Sequence, residues 1–266
     1  MRGSRGRNLP LIQVKKTRTD REPHIHEIMV DKIKNHHRFF APIENVQPVL
    51  LKSLSSGKDE PTEYVRATRR EIGTQTLEER IEDLAKKLPS SVSEKVEDYY
   101  EHIVEGLSKL KDAQIVHFNI QPNSIIYSDS EYCPIITDFG QAFIWYDKDI
   151  KTVFCKPHPP NRCIEAICIA TIVEDDEWQT NKVNMAKLEE VITQYITEEE
   201  EEATKWKTYI RKFAKKEGNT VVNELMKNWH TWDLYSVNRI FMRLKNVPIL
   251  KKQNNPGEPY NKLVFD

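Results

Sequence analysis

Short apolar segments dominate the first 70 residues of the chain, and their order predicts strands with one helix among them. Strands are predicted at residues 9–15, 38–54 and 63–68. Residues 23–35 predict a helix instead, because Ile25, Met29 and Ile33 fall near helical spacing and Pro23 suits a first helical turn. This part of the chain is therefore predicted to form a small mixed sheet with one helix.

Helical periodicity dominates the rest of the chain. A helix is predicted to open at residues 73–77, with one apolar face made by Leu77, Ile81, Leu84 and Leu88. Longer helical patterns cover residues 93–113, 184–228 and 233–244. Between the first two of these, residues 125–127 and 135–137 predict a hairpin around the polar turn at 128–131.

Composition and charge narrow the class of protein. The chain has 266 residues and a formal net charge of -1, which suits one large domain or two modest lobes and favours no nucleic-acid-binding class as a whole. Basic residues concentrate in residues 1–21, an arm that could contact nucleic acid or an acidic protein face, or be simply solvated. Glu198–Glu202 is expected to be a solvated helix face. The four cysteines form no Cys-x-x-Cys pair, which favours free thiols in a reducing compartment.

One segment carries recognisable chemistry. Residues Ile115–Ile126 read I-V-H-F-N-I-Q-P-N-S-I-I, and this segment resembles the protein-kinase catalytic loop H-R-D-x-x-x-x-N, with His117 at the histidine position. The predicted hairpin follows, and then the tripeptide D-F-G at Asp138–Gly140, 19 residues after Asn119 and close to the family's usual spacing. The resemblance implies an α+β, protein-kinase-like two-lobed fold with a reduced N-lobe and a truncated, helix-elaborated C-lobe.

The resemblance also implies roles for residues outside the loop. Ile12–Lys15 is similar to the V-A-I-K strand, so Lys15 would bind phosphate and Glu27, 12 residues later, would be its ion-pair partner. Asp138 would be the metal ligand and, with Lys15 and Glu27, would bind the cofactor. Structural roles would fall to Phe139, to Gly140, to Glu165 at the close of the activation segment, and to Asp233, whose carboxylate would accept hydrogen bonds from backbone N–H groups near His117.

Three phrases narrow the resemblance further. Residues 39–43, 116–118 and 232–233 look most like the kinase-like proteins of large nucleocytoplasmic DNA viruses.

The predicted domains are a reduced N-lobe with a basic N-terminal arm at 1–73, a C-lobe at 74–250 and a tail at 251–266. A helical insert at about 174–230 is the predicted interaction surface, although its apolar stripes could equally pack onto the protein's own core.

Departures from the family pattern leave no intact catalytic site. Asn119 stands where the family has the aspartate that accepts the substrate's proton, and an amide cannot act as a general base at neutral pH. Gln121 replaces a lysine near the transferred phosphate, and Ser124 replaces the asparagine that holds a second metal ion. Residues 3–6 do not match the G-x-G-x-x-G phosphate loop. The loop formed by His117, Asn119, Gln121 and Ser124 is therefore degenerate.

These departures favour a catalytically impaired pseudokinase that acts as a binding or structural module, including one associated with a virion. Two alternatives stay open: a divergent active Ser/Thr kinase that uses ATP, and a structural component of a viral assembly. No cofactor is expected, and ATP with Mg would bind weakly at most. The expected partners are other proteins of a viral assembly, with no membrane segment and with nucleic acid contacted only through the N-terminal arm. The expected location is intracellular, in the host cytoplasm if the protein is viral, or in the virion.

Overall fold

The computed structural model describes residues 12–15, 21–41, 43–51, 62–69, 75–154, 162–196 and 200–245. In this part of the chain the α-helices are α1 (Arg21–Lys32), α2 (Leu77–Lys87), α3 (Val92–Asp112), α4 (Ile150–Phe154), α5 (Ile164–Val173), α6 (Met185–Tyr195), α7 (Glu200–Arg211), α8 (Gly218–Met226) and α9 (Trp232–Lys245). The strands are β1 (Ile12–Lys15), β2 (Ile43–Leu51), β3 (Thr62–Arg69), β4 (Ile115–Val116), β5 (Ile125–Ser128), β6 (Cys133–Ile136) and β7 (Phe143–Ile144). The fold is therefore α+β, as predicted.

The chain divides into two compact units, and the first comprises Met1–Lys109 with Asn123–Gly140. Its three-stranded sheet has the order β1-β3-β2 and is antiparallel between both pairs of neighbours, where the sequence had predicted a mixed sheet. For the β2–β3 pair the reason is the short connection at residues 52–61, since a parallel crossover needs a dozen or more residues. The N-terminal arm at residues 1–21 lies largely outside the described residues, and the tail at 251–266 lies wholly outside them. The predicted domain boundaries stay predictions.

Helix α2 begins and ends through local chemistry. Thr76 caps it in a capping box with Glu79: the Thr76 backbone N–H donates to Glu79 Oε2 at 2.8 Å, and the Glu79 N–H donates to Thr76 Oγ1 at 3.3 Å. The predicted apolar face is buried at Leu77, Ile81 and Leu84, but Leu88 is 56% exposed. Leu88 departs from the prediction because the helix ends at Lys87 and the next residue leaves helical geometry.

The predicted long helix and hairpin are confirmed in this part of the fold. Helix α3 buries the apolar stripe of Val96, Tyr99, Ile103, Leu107 and Leu110. Strands β5 and β6 pair antiparallel, with Ile125 opposite Ile136 and Ser128 opposite Cys133.

The second unit comprises Leu110–Pro122 with Gln141–Asp266, and its core surrounds α5. Every residue of α5 except Thr171 is buried, and the helix packs against α4, α6 and α8. The two predicted apolar stripes of the 184–228 segment belong to this core, where Leu188, Ile192, Trp206, Ile210 and Phe213 are buried. No helix in the described part of the chain is long and apolar enough to cross a membrane.

One member of the glutamate run is not solvated, contrary to the prediction for Glu198–Glu202. Glu202 lies in the first turn of α7 and is 9% exposed. Its carboxylate accepts hydrogen bonds from Arg239 Nη1 and from the Tyr235 hydroxyl of α9, both at 3.0 Å. Burial is possible because the carboxylate is paired with a guanidinium and hydrogen-bonded.

Candidate functional site

The degenerate loop leaves a two-stranded ladder and turns sharply. Strand β4 pairs antiparallel with β7, with Val116 opposite Phe143. Directly after β4, residues 117–120 are all buried, and Phe118 has a φ of 64°. A left-handed conformation is strained for a bulky side chain, so neighbouring groups must hold this residue in place.

The carboxylate of Asp233 holds the loop from the first turn of α9. Asp233 Oδ2 accepts a hydrogen bond from the His117 backbone N–H at 2.7 Å, and Oδ1 accepts one from the Phe118 N–H at 2.9 Å. These are the hydrogen bonds that the resemblance implied for Asp233. Burial raises the pKa of the carboxyl, while His117, the two backbone N–H groups and the guanidinium of Arg162 act in the opposite direction.

Arg162 holds the same residue from the other side. Its Nη2 donates to the Phe118 carbonyl oxygen at 2.7 Å and to Gln141 Oε1 at 2.9 Å, and its guanidinium carbon lies 3.9 Å from the centre of the Phe118 ring. The side chain is 3% exposed, and burial lowers the pKa of its guanidinium to about 10. Sequence reasoning missed Arg162 and Gln141. The available signal was a lone arginine just before the nearly uncharged helix α5, where it must be solvated or paired.

Aromatic rings enclose the Phe118 side chain. Its ring centre lies 5.2 Å from that of Phe143, 5.3 Å from that of Phe154 and 5.9 Å from that of Trp232. The first two contacts are edge-on, which is a favourable geometry for aromatic pairs. Backbone hydrogen bonds and ring packing therefore fix the strained residue together.

The side chains at positions 119 and 121 interact with each other. Gln121 Nε2 donates to Asn119 Oδ1 at 3.0 Å, and the Asn119 backbone N–H donates to His117 Nδ1 at 3.3 Å. Asn119 is 4% exposed. Neither amide can take up a proton near neutral pH, so these two positions supply hydrogen-bonding groups and no acid–base chemistry.

Ser124, Asp138, Phe139 and Gly140 belong to the other unit. The Ser124 carbonyl oxygen accepts a hydrogen bond from the Thr137 backbone N–H at 2.8 Å, next to the β5–β6 pair. Asp138 has a φ of 66°, in the left-handed region that aspartate enters more readily than most residues other than glycine. The Phe139 ring is 2% exposed and meets the Phe40 ring edge-on, with 5.8 Å between the ring centres.

Two further residues that the resemblance assigns to the site are Lys15 and Glu27. Lys15 ends β1 opposite Val65, and its side chain lies outside the described part. Glu27 is exposed on α1, with its Oε2 3.9 Å from His24 Nδ1. The Lys15–Glu27 ion pair therefore stays a prediction.

Glu165 is a buried carboxyl in the first turn of α5, 7% exposed. Burial raises its pKa to about 7, although hydrogen bonds with the Asn228 side chain and the Cys163 thiol act to lower it. Its proposed place at the close of an activation segment stays a prediction.

Among the described residues, no three His, Cys, Asp or Glu side chains form a group that could hold a metal ion. Asp138 is the one carboxylate that the resemblance assigns to metal binding, and weak binding of ATP stays a prediction. No family model matches the sequence, and no curated protein matches it significantly.

Proposed function

We propose that this chain has a protein-kinase-like two-lobed fold, transfers no phosphate, and acts as a binding or structural module in an intracellular protein assembly. The proposal that this assembly is viral rests on the resemblance of the segments at 39–43, 116–118 and 232–233 to kinase-like proteins of large DNA viruses. The proposal assigns the loop around Asn119 a structural task in place of a catalytic one.

The chemistry of position 119 carries the proposal. A kinase-type loop needs a carboxylate there to accept the proton of the substrate hydroxyl, and positioned acid–base catalysis contributes about 10²–10⁴-fold to rate. Asn119 offers an amide, and its oxygen already accepts a hydrogen bond from Gln121 at 3.0 Å. The lysine position and the catalytic position thus hold a pair of neutral side chains that bind each other.

The support around the loop favours a rigid scaffold. Phe118 is held at its N–H by Asp233, at its carbonyl by Arg162 and at its ring by three aromatic side chains. Interactions of this kind keep a strained backbone in one conformation. A chain that retains this support without the catalytic carboxylate suits a module whose shape is used by partners.

Thermal melting with ATP and magnesium tests the proposal. A ligand at 100 times its dissociation constant stabilises a folded protein by about 2.7 kcal/mol, which gives a measurable rise in Tm. We expect no magnesium-dependent rise at micromolar ATP. A rise that Asp138→Asn removes would contradict the proposal, because it would locate nucleotide binding at the metal position of an intact kinase site.

A further inference from the structure

Three histidine side chains lie together at the turn that follows α1, residues 35–41, which we call the histidine corner. The His26 ring, on α1, meets the His36 ring edge-on with 5.8 Å between the ring centres. The His36 ring meets the His37 ring in the same way, also at 5.8 Å. His26 and His36 are half-buried, and His37 is exposed. The corner therefore brings together three groups that, when unperturbed, take up a proton near about pH 6.5.

Helix α3 holds the corner from another side through a fourth histidine. The His102 ring stacks on the Phe39 ring with 4.7 Å between the centres, and its Nε2 lies 2.9 Å from the Arg38 carbonyl oxygen. A carbonyl oxygen only accepts, so Nε2 is the donor in this hydrogen bond. Burial lowers the pKa of His102, and the charge of Arg38 acts in the same direction, while the hydrogen bond to the Arg38 carbonyl and the Glu105 carboxylate oppose it. The corner therefore packs between α1 and α3 with a histidine ring on each side.

The corner in turn holds strand β6 and the phenylalanine of the D-F-G tripeptide. The Ala41 N–H donates to the Ile136 carbonyl at 2.9 Å, and the Ile136 N–H donates to the Phe39 carbonyl at 2.8 Å. Phe40, which lies between these two hydrogen bonds, is fully buried and packs edge-on against Phe139. A displacement of the corner would therefore break the pairing with β6 and expose both rings.

Protonation of the corner is unfavourable in this folded arrangement. Burial lowers the pKa of His26 and of His36, and each has a second histidine beside it that acts in the same direction. Glu22 and Glu27 oppose this shift at His26, and the hydrogen bond with the Ile33 backbone opposes it at His36. Strand β2 also contacts α1, and its side chains lie outside the described part. A histidine with a lowered pKa binds fewer protons in the folded state, so the closed corner is stable above about pH 6.5 and loses stability as the pH falls below that value.

We infer that the histidine corner is a pH-sensitive contact, closed near neutral pH and open in mild acid. Protons taken up from water by His26, His36 and His37 place positive charges on neighbouring rings whose centres are 5.8 Å apart, and like charges at that distance repel. The turn then withdraws from β6, and the Phe40 ring leaves Phe139. The inference does not depend on the proposed function. It adds to the module a switch between two conformations that the proton concentration controls.

Hydrogen exchange of the full chain, followed by NMR at about pH 7.5 and about pH 5, tests the inference. We expect the protection factors of the Ala41 and Ile136 amides, each taken relative to the intrinsic rate at the same pH, to fall about ten-fold or more at the lower pH, because a shift of one pKa unit changes an equilibrium constant about ten-fold. The Ile169 amide in the middle of α5, in the other unit, should lose no protection. Unchanged protection of Ala41 and Ile136 in the wild type, or a fall that Ile169 shares equally, would overturn the inference.

Histidine variants assign the effect to the corner. His36→Gln removes the ring that makes both ring contacts and should abolish most of the fall in protection, and His26→Gln tests the same contact should His36→Gln fail to fold. His24→Gln removes an exposed histidine of α1 that makes neither contact, and it should keep the whole fall. A fall that His36→Gln and His26→Gln both leave intact would sink the inference. A corner that stays closed at the lower pH would leave the proposed function standing, because neither phosphate transfer nor partner binding enters the inference.

Discussion

Arg162 holds Phe118 by both its backbone and its ring. The guanidinium Nη2 donates to the Phe118 carbonyl at 2.7 Å, and the same group lies over the phenyl ring with 3.9 Å from the guanidinium carbon to the ring centre. Asp233 meets the N–H of the same residue at 2.9 Å. The Asp233 carboxylate and the Arg162 guanidinium, from distant parts of the sequence, therefore fix Phe118, the residue that precedes Asn119.

Replacing Asp233 should destabilise the protein. Asp233→Ala leaves the buried N–H groups of His117 and Phe118 without their acceptor, at a cost of about 1–3 kcal/mol, and more where the lost acceptor is charged. Asp147→Ala, which removes an exposed acid from the same unit, is the matched control and should change stability little. Chemical denaturation measures both, and an unchanged midpoint for Asp233→Ala would remove the residue from this role.

The buried ion pair between α7 and α9 should outweigh a surface pair of the same type. Arg239→Met leaves the Glu202 carboxylate buried without its cation, which typically costs about 3–5 kcal/mol. Arg211→Met breaks the pair between Arg211 and Glu189, in which the arginine is 61% exposed, and should cost about 1 kcal/mol or less. Urea denaturation compares the two variants. Equal losses of stability would show that Glu202 is solvated in solution.

Hydrogen exchange should find α6, α7 and α8 ordered. Their apolar side chains lie in the core around α5, so amides in the middle of each helix should exchange slowly in the isolated protein. The amide of Lys215, an exposed residue with a φ of 68° in the turn after α7, provides an internal comparison, with faster exchange expected there. Fast exchange throughout 184–228 would contradict the packing of this segment.

The buried carboxyl of Glu165 should make stability fall as pH rises. Its pKa is about 7 in the folded protein against 4.5 for the unperturbed group, so the folded state binds more protons between these values. Stability is therefore highest below pH 4.5 for this group and decreases through pH 7, by roughly 3 kcal/mol in total. Glu165→Gln should lack this part of the pH dependence, whereas Glu190→Gln, an exposed control on α6, should keep it. Equal pH profiles for the wild type and Glu165→Gln, measured by denaturation, would refute the assignment.

Local periodicity predicted most elements of the fold, because an amphipathic stripe requires only neighbouring residues. Helix α3, the β5–β6 hairpin and the helices of the 184–228 segment were predicted in this way. Arg162 could not be predicted so easily, since its hydrogen bonds join residues 44 and 21 positions apart and no local pattern contains that information.

The burial of Glu202 had a local signal that was missed. Glu202 lies four residues before Trp206 and eight before Ile210, so all three share one face of α7, and the two apolar members are buried. The five adjacent glutamates hid this phase, because the run suggested a uniformly solvated face. Extending the helical spacing of Trp206 and Ile210 back into the glutamate run places Glu202 on their buried face, and this would have identified it as the buried member.

Phosphate transfer from radiolabelled ATP, to protein substrates and to the chain itself in the presence of magnesium, tests the central claim most directly. The account predicts no incorporation by the wild-type chain above that of Asp138→Asn. It also predicts none by Asn119→Asp, which restores a carboxylate but leaves Gln121 and Ser124 in place. Incorporation by the wild type that Asp138→Asn abolishes would contradict the account and establish an active kinase.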